Sequence, residues 1–364
     1  MTSLHVDLGE YWRGGQNQAL LTARGLRARG HSADLLVVRD APLARRALRD
    51  GIPVHAVGRR AKYLQAAVRL RQLLAHKKYD VLHLHEAHGV TAAWLARAHR
   101  RTCVVVSRRL AYRLQSNPFA LARYRAAHRI LVISRFVAES VLSSGLPAEQ
   151  LELVYEGIEF PPLPQPDVRR QARQRWGVSD NHTLLGCVGY LLPEKGQESL
   201  IRALPAVRAQ LPTCRLLLAG DGPCRARLER LTRELGMESA VHFAGFVEDI
   251  QKVYAALDVF LFPSLAEPLG TSLLAAMSYA LPVVAVAQGA GPEVVEDGRN
   301  GLLVPASDSN AIASAIVRLL GDAELAARLG AAARETIQQR FTADHMVENT
   351  LRIYQQVSSA GVRA

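Results

Sequence analysis

The stretch DVFLFPSLAEPLGTSLLAAMSYALPVVA, residues 258–285, writes out one strand–helix–strand unit. The apolar run at 257–262 suits a strand buried on both faces, and a second such run follows at 282–286. Between them, Gly270-Thr271-Ser272 opens a helix over 271–279, whose first backbone N–H groups have no helical acceptor. A strand, a helix and another strand of this length predict parallel pairing through a crossover.

The same alternation extends in both directions. Further strands are expected at 183–189, 214–219, 240–243 and 302–304, with helices at 196–210, 223–236 and 309–320. In the first half, strands are expected at 3–8, 34–38, 80–84, 102–106, 129–133 and 151–154. Helical stretches between them include 16–29, 62–76, 89–99 and 135–143. The proline-rich segment FPPLPQP, 160–166, continues neither element and reads as a linker. The prediction is an α/β chain of two Rossmann-like doubly wound domains facing across a cleft. An acceptor-side domain would span 1–160 and a donor-binding domain 161–345, with a C-terminal helix over 346–364 returning to the N-terminal domain.

Composition narrows the function. Residues 1–160 hold 25 Lys and Arg against 12 Asp and Glu, a net of +13, while the remainder nets −1. A face of that charge attracts anionic headgroups or acidic glycans. No helix-turn-helix, finger or aromatic-stacking pattern accompanies it, so nucleic acid is not expected. Cys103, Cys187, Cys214 and Cys224 are scattered without a C-x-x-C pair, which points to neither a zinc site nor a disulfide framework. The first residues lack the basic-then-apolar order of a signal peptide, and the expected location is cytoplasmic.

Several loops carry chemistry. Gly14-Gly15 ends the first strand–loop and opens a helix, a place where backbone N–H groups can meet phosphate. His85 stands at the carboxyl end of VLHLH, next to Glu86 and His88; the spacing H-E-x-H misses the helical zinc pair, and no metal is expected. LLPEKGQ, 191–197, presents Lys195 just ahead of a helix, where an ammonium can offset a departing phosphate.

In order and spacing, VGYLLPEKG (188–196), LLLAGDGP (216–223), VHFAGFVEDI (241–250) and the segment from Glu267 to Ala275 resemble the retaining GT-B glycosyltransferases of family four. The resemblance implies a sugar moved from a nucleoside-diphosphate donor to a hydroxyl of a glycan or lipid-linked acceptor, with retention and without cofactor or metal. It implies that Glu267 and His85 meet the transferred sugar. Lys195, Gly14, Gly15, Gly270, Thr271 and Ser272 would meet the diphosphate, and Gly245 and Phe246 the base. Glu293 would brace the donor loop from the start of a helix at 293–296.

Two positions depart from the pattern. Ala275 stands where the family's second Glu would bond the ribose, and Tyr190 where an Arg would clamp the diphosphate. Arg13, Arg108 and Arg109 are candidates for a substitute cation or for acceptor contacts, and 107–119 for a basic lip on the acceptor side. These departures also motivate an alternative, a GT-B nucleotide-binding or scaffold protein with weak or lost transfer. Finally, RRAKYLQAAVRLRQLLAHKK, 59–78, sets Leu64, Ala67, Val68, Leu70, Leu73 and Leu74 among seven basic residues. It reads as a sheet-packed helix, or as a helix resting on an anionic membrane at the inner face of the cell.

Overall fold

A computed structural model describes residues 1–114 and 118–359. It divides into two compact units, Met1–Gly157 with Thr342–Ala364, and Ile158–Phe341. The first boundary falls just ahead of the proline-rich segment, and the return falls at Thr342, before the C-terminal helix Ala343–Ser359.

Unit 1 holds a parallel sheet of β1 (Thr2–Asp7), β2 (Ser32–Val38), β3 (Val54–Val57), β4 (Val81–Leu84), β5 (Cys103–Arg108), β6 (Arg129–Val132) and β7 (Leu151–Leu153). Its order is β3-β2-β1-β4-β5-β6-β7. Unit 2 holds β8 (Thr183–Val188), β9 (Cys214–Ala219), β10 (Val241–Gly245), β11 (Val259–Phe262), β12 (Val283–Val286) and β13 (Leu302–Val304), in the order β10-β9-β8-β11-β12-β13. Both sheets run outward from their first strand one way and then restart on its other side. The switch falls between β1 and β4 in unit 1, and between β8 and β11 in unit 2. Loops leaving the carboxyl ends of those strand pairs diverge and open a crevice, the usual ligand position in such sheets.

Each sheet is an apolar layer between helices. The unit 2 core runs through Leu185, Leu216, Leu261 and Val284 to Ile201, Leu204, Ile316 and Leu329 of its helices. In unit 1, the last helix lays Val347, Ile353, Tyr354 and Val357 against Leu20, Leu35 and Leu131. Elements the sequence expectation did not place include the helices Pro42–Arg49, Pro118–Arg125, Pro166–Arg175 and Gln251–Ala256 and the strand β3. Residues 115–117 of the expected basic lip, and 360–364 of the expected last helix, lie outside the described residues. No helix among the described residues is long and apolar enough to cross a membrane.

The segment 59–78 becomes the helix Lys62–His76. Ala66, Ala67, Leu70 and Leu73 face the fold, whereas Tyr63, Leu64 and Val68 stay exposed. The sequence pattern thus combines two stripes, one packed and one outward.

Candidate active site

In unit 2 the loops after β8 and β11 are stitched together. After β8 the chain makes the turn Pro193–Lys195 and enters the helix Gln197–Gln210 through Gly196 at φ 69°. A Cβ on Gly196 would stand 2.2 Å from the Pro263 carbonyl oxygen, so only glycine allows this approach. The Leu265 amide donates to the Glu194 carbonyl at 2.8 Å, closing the two loops on each other. That closure brings Lys195 into an ion pair with Glu267, whose Oε2 also accepts from Ser264 Oγ at 3.1 Å. A third loop supports Glu267, because the Ala290 amide donates to its carbonyl at 3.0 Å.

Three residues beyond Glu267, Gly270 sits at φ 94° and caps the helix Thr271–Ser278 without a side chain. The amides of Thr271 and Ser272 open that helix beside the Glu267 stem, whose Cγ would stand 3.4 Å from a Cβ at Gly270. Lys195, Glu267 and the 270–272 amides therefore belong to one loop pair at the unit 2 switch. A positive ammonium and a helix N-terminus side by side suit a diphosphate. Tyr190 is exposed and supplies no cation, while Ala275 lies one turn into the same helix, partly exposed.

At the end of β10, the Gly220 amide donates to the Gly245 carbonyl at 2.8 Å, and Phe246 stands 83% exposed, an aromatic face open to stacking. The guanidinium of Arg225, unremarked in the sequence reading, lies 3.3 Å from where a Gly245 Cβ would be. Glu293 is the third residue of the short helix Gly291–Val294, which begins two residues earlier than expected.

Unit 1 is built differently. The Asp7 carboxylate, fully buried at the end of β1, accepts from Gln16 Nε2 at 3.0 Å and from the Gly9 amide at 2.8 Å. Burial raises its pKa despite those bonds. Glu86, after β4, accepts from the amides of His88 and Gly89, each at 2.6 Å, and from the Leu8 amide at 3.2 Å. Burial pushes its pKa up, but the His88 ring and the two helix amides hold it below the ordinary value. Glu86 thus caps the helix Ala87–Leu95 and joins the β1 loop to the β4 loop.

His85 is 3% exposed and belongs to a buried cluster with His5 and His83. Among the described residues these three offer ligand atoms within 4.8 Å of one another, close enough for a metal. Each ring nitrogen is already engaged, however. His5 bonds Ser3 Oγ and His85 Nε2, both at 3.0 Å. His83 bonds Tyr354 OH at 2.5 Å and Ser107 Oγ at 2.7 Å. The second nitrogen of His85, Nδ1, meets Arg109 Nη2 at 3.2 Å. Desolvation lowers the pKa of all three, His5 to about 3, so the cluster is neutral.

The three candidate cations of unit 1 have separate fates. Arg13 is exposed at the start of the helix Gly14–Ala28. Arg108 is no loop residue: it ends β5, 4% exposed, donating to the Tyr112 carbonyl at 2.6 Å and lying over the Tyr112 ring. Arg109 pairs with Glu156 at 2.7 Å, and its Cδ would be 3.7 Å from a Cβ on Gly15. It therefore lies beside the Gly14-Gly15 helix entrance, but already holds a carboxylate.

Sequence reasoning missed His5, Tyr354, Glu156 and Asp7. His5 had a signal: β1 and β4 are neighbours in a 3-2-1-4 order, and His5 stands in direct register with His83.

Comparison with known proteins agrees with this architecture. A family model described as glycosyl transferases group 1 matches residues 182–322, and one described as glycosyl transferase 4-like domain matches residues 13–157. The chain is 34% identical over 215 residues to a GDP-mannose-dependent alpha-(1-6)-phosphatidylinositol monomannoside mannosyltransferase of Mycolicibacterium smegmatis, covering 56% of each. It is 35% identical over 167 residues to the lipopolysaccharide core biosynthesis glycosyltransferase LpsE of Rhizobium meliloti, 46% of this chain and 48% of that protein. These matches span about half the length of the curated relatives. The Anabaena HepE structure with UDP and glucose superposes with a TM-score of 0.84 at 24% identity, over 98% of this chain and 99% of that one. With two successive family matches spread over both units and the fold to go with them, the chain belongs to the glycosyl transferases group 1 family, and its fold is GT-B.

Proposed function

We propose that this protein moves a sugar from a nucleoside-diphosphate donor to a hydroxyl of a glycan or lipid-linked acceptor, with retention and without a metal. The carrying observation is the Lys195–Glu267 pair beside the open amides of the helix Thr271–Ser278, at the unit 2 switch point. Lys195 and those amides face charge that develops on the departing diphosphate as the anomeric C–O bond breaks. The acceptor oxygen bonds the same carbon, and its proton passes to a diphosphate oxygen. Glu267 holds sugar hydroxyls, and the exposed ring of Phe246 stacks the base while Gly245 lets it approach. In unit 1, Gly14-Gly15 brings helix amides toward the phosphates.

The relatives named for phosphatidylinositol mannoside and lipopolysaccharide core favour a membrane-borne acceptor. The exposed apolar stripe Tyr63, Leu64 and Val68, next to exposed Arg59 and Arg60, supports peripheral contact of a cytoplasmic protein with an anionic bilayer. Vesicle flotation that is insensitive to salt and to anionic lipid content would retire that part.

The activity test is release of nucleoside diphosphate from a panel of GDP-, UDP- and ADP-sugars with glycan and lipid acceptors. Folded protein that binds none of these donors by calorimetry would overturn the assignment. Binding without transfer would favour the alternative of a GT-B scaffold, which Ala275 and uncharged Tyr190 motivate.

A further inference from the structure

The hydrogen bonds around His85 have a direction that can be derived from one end. Arg109 Nη2 can only donate, since a guanidinium has no acceptor. His85 Nδ1, at 3.2 Å, therefore accepts. A neutral imidazole that accepts on Nδ1 carries its proton on Nε2, so His85 Nε2–H donates to His5 Nδ1 at 3.0 Å. His5 then carries its own proton on Nε2 and donates to Ser3 Oγ at 3.0 Å. Ser3 passes its hydroxyl hydrogen to the Ser32 carbonyl at 3.2 Å. The chain is closed at both ends, by a cation at one and a backbone carbonyl at the other.

Arg109 does more than set this polarity. Its Nη1 donates to the His85 carbonyl at 2.9 Å, so the fork grips backbone and ring of one residue together. Its Nε donates to Glu156 Oε1 at 2.7 Å, with the Arg109 and Glu156 side chains 13% and 7% exposed. The His85 amide is taken by the Val6 carbonyl at 2.9 Å.

We propose that Arg109, braced by Glu156, is the positioning residue for His85: it locks the ring as the neutral Nε2–H tautomer, so that His85 enters the transfer site as a fixed, uncharged element and neither gives a proton to substrate nor takes one. The consequence for transfer rests on the proposed function together with the expectation, from the family resemblance, that His85 meets the sugar; the lock itself is a property of unit 1 alone. Groups facing the ring from every packed element agree. His5 on β1 and His83 on β4 are neutral, Ser107 on β5 and Tyr354 on the last helix bond His83, and Arg109 is the nearest charge. Of the carboxylates, Glu156 is bound to Arg109, Glu86 to the helix amides, Asp7 to Gln16, and Asp34 to Lys77 and Tyr79. Burial lowers the His85 pKa, and His83 and Arg109 lower it further.

The test is nitrogen NMR of the full chain carrying ¹⁵N-labelled histidine, with the His85 signals assigned from their loss in His85→Gln. The expected result is the Nε2–H tautomer for both His85 and His5, unchanged from pH 8 to 5. In Arg109→Met, His85 Nδ1 loses its donor and its positive neighbour, so the ring exchanges tautomers and begins to titrate. In the transfer assay that variant loses about 10²-fold in kcat, as expected for a mispositioned group, with KM for the donor within about twofold. Glu156→Gln keeps the guanidinium and serves if Arg109→Met does not fold; it keeps the tautomer and loses part of kcat. An Nδ1–H tautomer or a His85 titration above pH 5 in the wild type overturns the proposal, as does stoichiometric zinc in the purified protein. An unchanged histidine spectrum in Arg109→Met also overturns it. A protein with the expected spectrum but no transfer with any donor would instead count against the proposed function.

Discussion

Lowering the pH from 7 to 5 should destabilise unit 1 far more than unit 2. His5, His83 and His85 are buried and uncharged, and desolvation lowers the pKa of each, to about 3 for His5 and well below 6.5 for the others. Unfolded, each regains a pKa near 6.5 and takes up a proton that the folded state refuses. With folded pKa values depressed, the stability is present above 6.5 and lost as pH falls below it. Between pH 7 and 5 one such histidine contributes a loss of about 2 kcal/mol, and three contribute about 6. Two terms oppose this within unit 1. The bond to Glu86 raises the His88 pKa, and burial raises that of Asp7, so both groups favour the folded state as pH drops. Fluorotryptophan separates the units, since Trp12 and Trp94 report on unit 1 and Trp176 on unit 2. With an m-value of about 2 kcal/mol per molar urea, the Trp12 and Trp94 midpoints should fall by up to about 3 M. Midpoints that move by less than about 0.5 M, or in step with Trp176, would refute the neutral cluster.

Other outcomes follow from unit 2. Lys195→Met should lower the transfer rate about 10²–10³-fold while urea stability stays within about 1 kcal/mol, read from steady-state kinetics beside urea melts. Glu267→Gln removes the ammonium's partner and a sugar contact, with an expected loss of about 10- to 150-fold in kcat/KM. Gly196→Ala meets both a positive φ and the Pro263 carbonyl, so it should cost more than about 1 kcal/mol in urea and abolish donor binding by calorimetry. Ala275→Glu restores a carboxylate one turn below Thr271 and should tighten nucleoside-diphosphate binding about 10- to 150-fold; unchanged affinity would mean the ribose lies elsewhere.

Legibility tracked burial and sequence distance. The four inner strands of unit 2 could be read from its sequence because they are apolar on both faces and leave continuous runs such as VFLF and VVAV, while its edge strands β10 and β13 are marked by the glycines beside them, Gly245 and Gly301. β3 could not, because it is an edge strand, partly exposed at Val54 and His55, with too few apolar residues to form a run. The helix Pro42–Arg49 carries three buried residues and three arginines in only eight positions, too short for a period to stand out. At the sites, Lys195 and Glu267 each sit in a local pattern of glycine, proline and helix start, so the sequence marks both. The partners of the histidines carry no local mark. His5 lies 80 positions from His85, Tyr354 lies 271 from His83, and Glu156 lies 47 from Arg109. Only the strand order and the path of the last helix bring them together.

The two switch points solve one problem in opposite ways. In each unit a hydrogen bond ties the loop after the first strand to the loop after the fourth. Unit 1 uses Glu86 to the Leu8 amide, over a core of neutral imidazoles whose every nitrogen is bonded. Such a network, fully satisfied and buried, resists change and serves as a frame. Unit 2 uses a backbone bond, Leu265 to Glu194, and above it an ion pair whose members are 24% and 16% exposed. A partly hydrated pair exchanges one partner for another at small cost, because water and the incoming group replace what each loses. Under the proposed function, an arriving diphosphate competes with Glu267 for Lys195, and the displaced carboxylate turns to the sugar hydroxyls.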